Sequence, residues 1–452
     1  MAFAPGSKKT TGMKATASVA MSNYIEAGSI VAGAGGLSLW TEYLNLNDFS
    51  VGLLGAVSAN ALGAAIGALV GGHLCDKYGR KFIYTYDLLV YMLGMLLIVF
   101  SFNFPMLLIG YIIVGLAVGA GVPASWTYIA EEAPAEQRAK HTGAAQLAWS
   151  MGPVIALLLS VALAPMGLLG SRLIFAHLFV VAFITWYIRQ GLSESKAWKE
   201  DKAKLQAGNE QERVSRQSIK EFFKHKANRS SLLILLGVYL FWNLTAGAMG
   251  FFMPYIYETV GGISADHANL LQAVLWIFTV LSSYFVFMKM GDKHNRRMLF
   301  AVSAVMGIVA WLLLTYINMS MPVLFAFVLL WGLAAGFGAQ AFYGLWAGEL
   351  FPTRYRARAQ GIMFFFARLA VAVWSLIMPT LITKLGFATA GTIMIVFLLV
   401  SAVIGIAFAP NTQGKTLAQI ERERYGELGA GTGFGGAGKD TVATAAGRPV
   451  NG

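Results

Sequence analysis

The run from Gly72 to Lys81 reads Gly-His-Leu-Cys-Asp-Lys-Tyr-Gly-Arg-Lys, and its charged half returns 216 residues later, between Gly291 and Arg297, as Gly-Asp-Lys-His-Asn-Arg-Arg. A second set repeats at nearly the same offset: Glu131, Pro134, Arg138 and Gly143 recur at Glu349, Pro352, Arg356 and Gly361, each 218 residues on. Two different polar loops duplicated half a chain apart make the chain two copies of one structural unit.

Composition says where those units reside. The chain is 57% hydrophobic and 12% charged, whereas ordinary globular domains carry about 25% charged residues. The apolar residues fall in segments of about 20 or more, the length a helix needs to cross roughly 30 Å of hydrocarbon. Twelve spans are expected, near 17–40, 50–74, 82–102, 105–130, 142–165, 170–188, 231–257, 265–288, 298–318, 322–349, 360–383 and 387–409. A half-length duplication in such a chain predicts an all-α membrane carrier of two pseudo-symmetric six-helix bundles.

The net charge of +12 would suggest nucleic acid in a soluble protein, but its distribution orients this one. With both termini cytoplasmic, 31 of the 34 Lys and Arg lie in cytoplasmic segments, Arg172 and Lys384 outside, and Arg368 within a span. That is the positive-inside bias, with a secondary attraction to anionic lipid headgroups. The expected organisation is a tail over 1–14, a bundle over 15–188, a linker over 189–230, a second bundle over 231–410 and a tail over 411–452, disordered from about 429. Residues 1–13 do not read as a cleavable leader, so the first span is expected to be retained. Lys196–Lys204 suits a short amphipathic helix, and the single cysteine, Cys75, excludes an intramolecular disulfide.

With Asp76, Gly79, Arg80 and Lys81 in the loop between spans 2 and 3, the chain resembles the major facilitator superfamily from about residue 17 to 425. The resemblance implies that Asp76 and Arg80 form a charge-assisted contact latching the halves on the cytoplasmic side. Asp292 and Arg296 would be its second copy, with Glu131, Arg138, Glu349 and Arg356 as partners. Within that superfamily the chain is similar to sugar porters and bacterial sugar and polyol carriers, including inositol transporters. Pro410-Asn411-Thr412-Gln413-Gly414-Lys415 resembles their Pro-Glu-Thr-Lys-Gly ending, and Leu192–Trp198 their Pro-Glu-Ser-Pro-Arg-Trp, although both prolines are missing. Gln146, eight residues after Arg138, stands at the position of a sugar-binding glutamine. The seventh span departs, with Phe241-Trp242-Asn243-Leu244-Thr245 where a glutamine pair is usual. Proton-coupled sugar porters pair an acid in helix 1 with an arginine near the start of helix 4. Glu26 matches the acid, while Tyr111 stands where the arginine is expected.

Glu26 lies about nine residues, roughly 13 Å, into the first span. Intramembrane acids are costly and mark proton or ion pathways, so Glu26 is the candidate proton carrier. Asp87, about 8 Å into the third span, reads as structural. Arg368 needs a partner or a wet cavity, because an arginine deep in a span costs about 2.5 to 3.5 kcal/mol on insertion scales. It has four open roles: binding a substrate carboxylate, donating to hydroxyls, pairing with Glu26 across the halves, or snorkelling. Asn269, Gln272 and Trp276, and likewise Gln340, Tyr343 and Trp346, fall at helical spacing on single faces. Amides beside indole faces suit a polyhydroxylated ligand, and they also serve as glue between helices.

The expected function is import of a sugar or cyclic polyol across the cytoplasmic (inner) membrane by alternating access, as a proton symporter and a monomer. The alternative is a proton-coupled importer of a small organic anion using Arg368. Multidrug efflux and a nontransporting sensor rank lower: Gly152-Pro153 is followed by Val154-Ile155-Ala156-Leu157 rather than the antiporter glycines, and no signalling domain is visible. No Walker loop, metal-ligand cluster or nucleophile beside a histidine is present in the sequence. No enzyme activity, cofactor, metal or nucleic-acid partner is therefore expected.

Overall fold

A computed structural model describes residues 12–57, 61–207 and 219–425, and these are helical apart from short connections. In the first half, α1 (Met13–Gly35) leads through short α2 (Leu37–Leu44) to α3 (Asp48–Val57) and α4 (Leu62–Tyr78), which together make the second span. Then come α5 (Arg80–Val99), α6 (Phe104–Glu132), α7 (Arg138–Leu163) and α8 (Leu168–Arg189). The linker carries α9 (Lys196–Ala207), where the sequence expects a short helix, and α10 (Ile219–Lys224).

The second half holds α11 (Lys226–Thr259) and α12 (Ala265–Ser282), the latter running on as a π-helical turn over Ser283–Met288. It continues with α13 (Arg296–Tyr316), α14 (Met321–Gly336), α15 (Ala339–Glu349), α16 (Thr353–Leu385) and α17 (Phe387–Phe408), and α18 (Leu417–Tyr425) follows. The tail expected to be disordered from about 429 lies outside the described residues.

Eleven stretches among the described residues are long and apolar enough to cross a membrane. The twelfth crossing is α1, whose Ser, Asn23 and Glu26 lower its hydropathy while almost its whole length is buried inside the protein. A span that touches little lipid has no need of an apolar surface. Its closest partner is α7, and a Cβ on Gly152 would stand 2.4 Å from the Tyr24 carbonyl oxygen. Glycine lets the two backbones touch there.

The repeated glycines mark where the halves meet. A Cβ on Gly143 of α7 would stand 2.3 Å from Met288 at the end of the π-helical turn, and one on Gly361 of α16 would stand 2.3 Å from the Ala68 carbonyl of α4. One duplicated glycine thus serves two equivalent seams, α7 on the end of the α12 span and α16 on α4.

Candidate functional site

The repeated charges gather at one end of the molecule, here called the basic end, in two matching clusters. The Glu131 carboxylate takes Arg80 Nη2 at 2.6 Å and Nε at 3.1 Å from its own half, and Arg356 Nη1 at 3.1 Å from the other. The Glu349 carboxylate takes Arg296 Nη1 at 3.0 Å from its own half and Arg138 Nη1 at 2.9 Å from the other. All six side chains are at most 3% exposed. Each glutamate therefore binds one guanidinium on each side of the seam. Removing one partner of such a buried pair strands the other, at about 3 to 5 kcal/mol.

Backbone contacts follow the same symmetry. Asp292 accepts from the Ala139 and Lys140 amides at the start of α7, at 3.0 and 3.1 Å, and Asp76 accepts from the Arg358 amide near the start of α16, at 2.8 Å. Asp292 thus meets the positive end of a helix in the opposite half, while Asp76 binds an amide beyond the first turn of its helix, which starts at Thr353.

Two distances place the expected latch residues. Arg80 stands 3.8 Å from Asp76, and its close partner is Glu131. Lys81 does not cross the seam; its side chain reaches the Gln190 carbonyl in its own half. Gly79 adopts φ +102, and a Cβ there would stand 2.2 Å from a Glu194 carboxylate oxygen. That carboxylate accepts from the Arg80 and Lys81 amides at 3.0 Å each, while Ser195 donates to Glu131 at 2.6 Å. Glu194 and Ser195 are missing from the sequence-based candidates, although they lie in the recognised segment after span 6.

The tail segment completes the end. Thr412 Oγ1 accepts from Arg296, Gln413 donates to the Asp292 carbonyl, and the Lys415 carbonyl accepts from Arg138 across the seam.

Farther in, α1 and α16 meet in one charge pair. Arg368 Nη2 lies 2.5 Å from Glu26 Oε1, and both side chains are almost wholly buried. Trp149 Nε1 of α7 donates to Glu26 Oε2 at 3.1 Å, and the guanidinium stacks over Phe364 at 5.0 Å. Arg368 pairs where snorkelling was one option. The arginine that the helix 4 position lacks thus arrives from the other half of the chain. Asp87 lies apart, 3.9 Å from Arg189, which also donates to the Ser18 and Val19 carbonyls of α1.

Beyond this pair opens a cavity between the halves. Ala27, Ile30, Val31, Gln146, Trp149 and Pro153 line it from the first half, and Trp242, Asn243, Met253, Gln272, Trp276, Trp331 and Gln340 are among those from the second. Asn243 Nδ2, Gln272 Oε1 and Trp276 Nε1 are buried with no hydrogen-bond partner among the described residues. Trp149 and Trp276 touch edge to face across the seam, with ring centroids 5.1 Å apart. The lining therefore offers amide donors and acceptors between indole faces, a set that matches alternating hydroxyls and C–H faces.

Of the residues singled out from sequence, Gln146, Asn243, Gln272, Trp276 and Gln340 lie in this lining. Asn269, Tyr343, Trp346 and Arg368 do not. Tyr343 stacks on Tyr239 with centroids 4.2 Å apart, and Trp346 packs on Phe342 and Phe300. All of α15 is buried, so helical spacing alone does not choose its cavity face. Trp149, Trp242 and Trp331 were missed, although Trp149 stands one turn beyond Gln146.

Residues 6–423 match the family described as "Sugar (and other) transporter". The minor myo-inositol transporter of Bacillus subtilis (strain 168) is 51% identical over 413 residues, covering 91% of this chain and 94% of that protein. The arabinose-proton symporter of the same organism is 26% identical, covering 86% and 90%. A structure of the major facilitator superfamily proton:xylose symporter XylE bound to 6-bromo-6-deoxy-D-glucose shares the fold at TM-score 0.75 and 20% identity, covering 91% of this chain and 99% of that one. Twelve crossings among the described residues, the doubled charge clusters and a match along nearly the whole length make the chain a member of the sugar transporter family of the major facilitator superfamily.

Proposed function

We propose that the protein imports a cyclic polyol of the inositol type, or a sugar of similar size, together with protons by alternating access. The observation that carries this reading is the cavity, where amides without partners among the described residues lie beside tryptophan faces, one of which, Trp149, donates to the buried Glu26 carboxylate. Gln146 and Asn243 would bind hydroxyls from opposite halves, with Gln272 and Gln340 beside them. Glu26 would carry the proton. The similarity to a myo-inositol transporter and a proton symporter supports both parts. The positive-inside bias supports both termini being cytoplasmic, with the basic end facing the cytoplasm of an inner membrane.

The organic-anion reading needs the Arg368 guanidinium for a substrate carboxylate, and Glu26 already neutralises it. The polyol reading is therefore preferred.

The test is uptake of labelled myo-inositol into proteoliposomes under an imposed pH gradient, with hexoses and a small dicarboxylate as competitors. Accumulation that collapses with a protonophore and is displaced by inositols or hexoses is expected. Uptake of the dicarboxylate that neither inositols nor hexoses displace would replace this reading with the anion one.

A further inference from the structure

Glu26 and Arg368 belong to different halves, and the side of the cavity on which they meet has a consequence for transport. Along α1 the cavity residues Ala27, Ile30 and Val31 lie farther from the basic end than Glu26. Along α11, Asn243 and Ala246 lie farther out than Tyr239, over whose ring the Arg368 guanidinium sits at 5.9 Å. Along α15, Gln340 lines the cavity, and Tyr343 comes next toward the basic end. The charge pair and these rings form a floor between the cavity and the doubled glutamate clusters. The floor also crosses the seam through Trp126 of α6, which packs edge to face on Tyr343 and Phe364, with centroids 5.5 and 5.4 Å apart.

We infer that the Glu26–Arg368 bridge is an inner gate on the path from the cavity to the basic end, opened when Glu26 takes up a proton. The inference deepens the proton-symport reading and rests on it for the role of Glu26. A bridge inside one half can lose its charge while the halves stay in place. A bridge between halves loses an interhalf attraction with the same proton, so protonation and opening become one event.

The elements packed on α1 set what else is charged nearby. From α11, Tyr239 faces the pair, and from α15, Tyr343 lies beside it. From α7 comes the Trp149 indole, from α6 Ser125 and Trp126, both bonded to Asn23. From α8, His177 bonds to Tyr24 and Arg189 to Ser22, away from the bridge. Arg368 is the cation paired with Glu26.

The test reads opening without substrate. Ala130 is buried, and its Cβ lies 2.6 Å from where a Cβ on Gly348 would stand across the seam. In full-length Cys75→Ala protein, Ala130→Cys would report parting of α6 and α15 by its maleimide labelling rate, normalised at each pH to the unfolded protein. The parent should label several-fold faster in acid than in alkali. Glu26→Gln and Arg368→Gln should label fast at both, whereas Arg368→Lys should keep the pH dependence. Parental rates and pH dependence in both neutralised variants would overturn the gate. Should neither fold, the parent decides: equal normalised rates at the two pH values overturn it as well. Since no substrate is present, failure of the polyol reading leaves this result untouched. A result that overturns the gate likewise leaves the inositol reading to be decided by the uptake test.

Discussion

The Asp76 carboxylate accepts a hydrogen bond from the Arg358 amide at 2.8 Å, so the aspartate of the first half anchors a helix of the second. Its counterpart Asp292 does the same for α7. The charge in the loop signature of the first half therefore acts on a backbone amide in the opposite half more closely than on the neighbouring arginine.

Asp76→Asn keeps a hydrogen-bond acceptor and loses the charge facing that amide. Hydrogen bonds to charged groups are worth about 1.5 to 3 kcal/mol and neutral ones about 0.5 to 1.5, a difference of about 1 kcal/mol, so the closed basic end should lose roughly fivefold in population. Turnover should fall while equilibrium affinity changes little. An unchanged transport rate together with an unchanged labelling rate at Ala130→Cys would remove Asp76 from the latch.

Glu131→Gln should be more severe, because it strands Arg80 and Arg356 together. Holding the closed state would cost about 3 to 5 kcal/mol, which favours the open basic end or lowers the melting temperature. Adding Arg356→Gln should recover part of the loss, since one stranded charge goes with it. Strictly additive effects in this double-mutant cycle would contradict the shared cluster.

The cavity assignment turns on relative magnitudes. Removing one hydrogen bond to a neutral hydroxyl costs about 0.5 to 1.5 kcal/mol. Gln146→Ala with Asn243→Ala should then weaken myo-inositol binding by roughly 5- to 150-fold. Arg368→Gln, outside the lining, should weaken it less than about tenfold. Calorimetric titration of purified protein ranks the two, and a reversed order would return Arg368 to the substrate site.

Gly79→Ala places a methyl group against Glu194 and asks a nonglycine residue to adopt φ +102. Strain of that kind costs of order 1 to 3 kcal/mol. The melting temperature should drop, and removing the Glu194 side chain as well should add less than its separate effect. Wild-type stability in Gly79→Ala would show that the turn relaxes.

The duplicated loops already contained the closed end. Glu131 and Glu349, Arg80 and Arg296, and Arg138 and Arg356 were legible as matched pairs because repetition exposes them without any structure. Which residue each would bind was not legible, since a carboxylate chooses its partner by helix register across the seam, and the chain does not encode that locally. Glu26 stood out because a deep acid is costly, whereas Trp149, its other partner, looked like any tryptophan in a span. Tyr343 and Trp346 were drawn toward the cavity by spacing from Gln340. Spacing identifies a face only on a helix that also has an outside, and α15 has none.

The burial of α1 also bears on how the protein is made. A span carrying Asn23 and Glu26, with little surface for lipid, gains little by entering a bilayer alone. Its polar groups find their partners on α6, α7, α8 and α16, all synthesised later: Ser125 and Trp126 for Asn23, Trp149 for Glu26, His177 for Tyr24, and finally Arg368. A segment made before all of these partners is thus among the last to be satisfied. Its stable insertion is a collective event of the bundle that shelters it, and a fault in α7 or α16 is expected to appear as a misplaced α1.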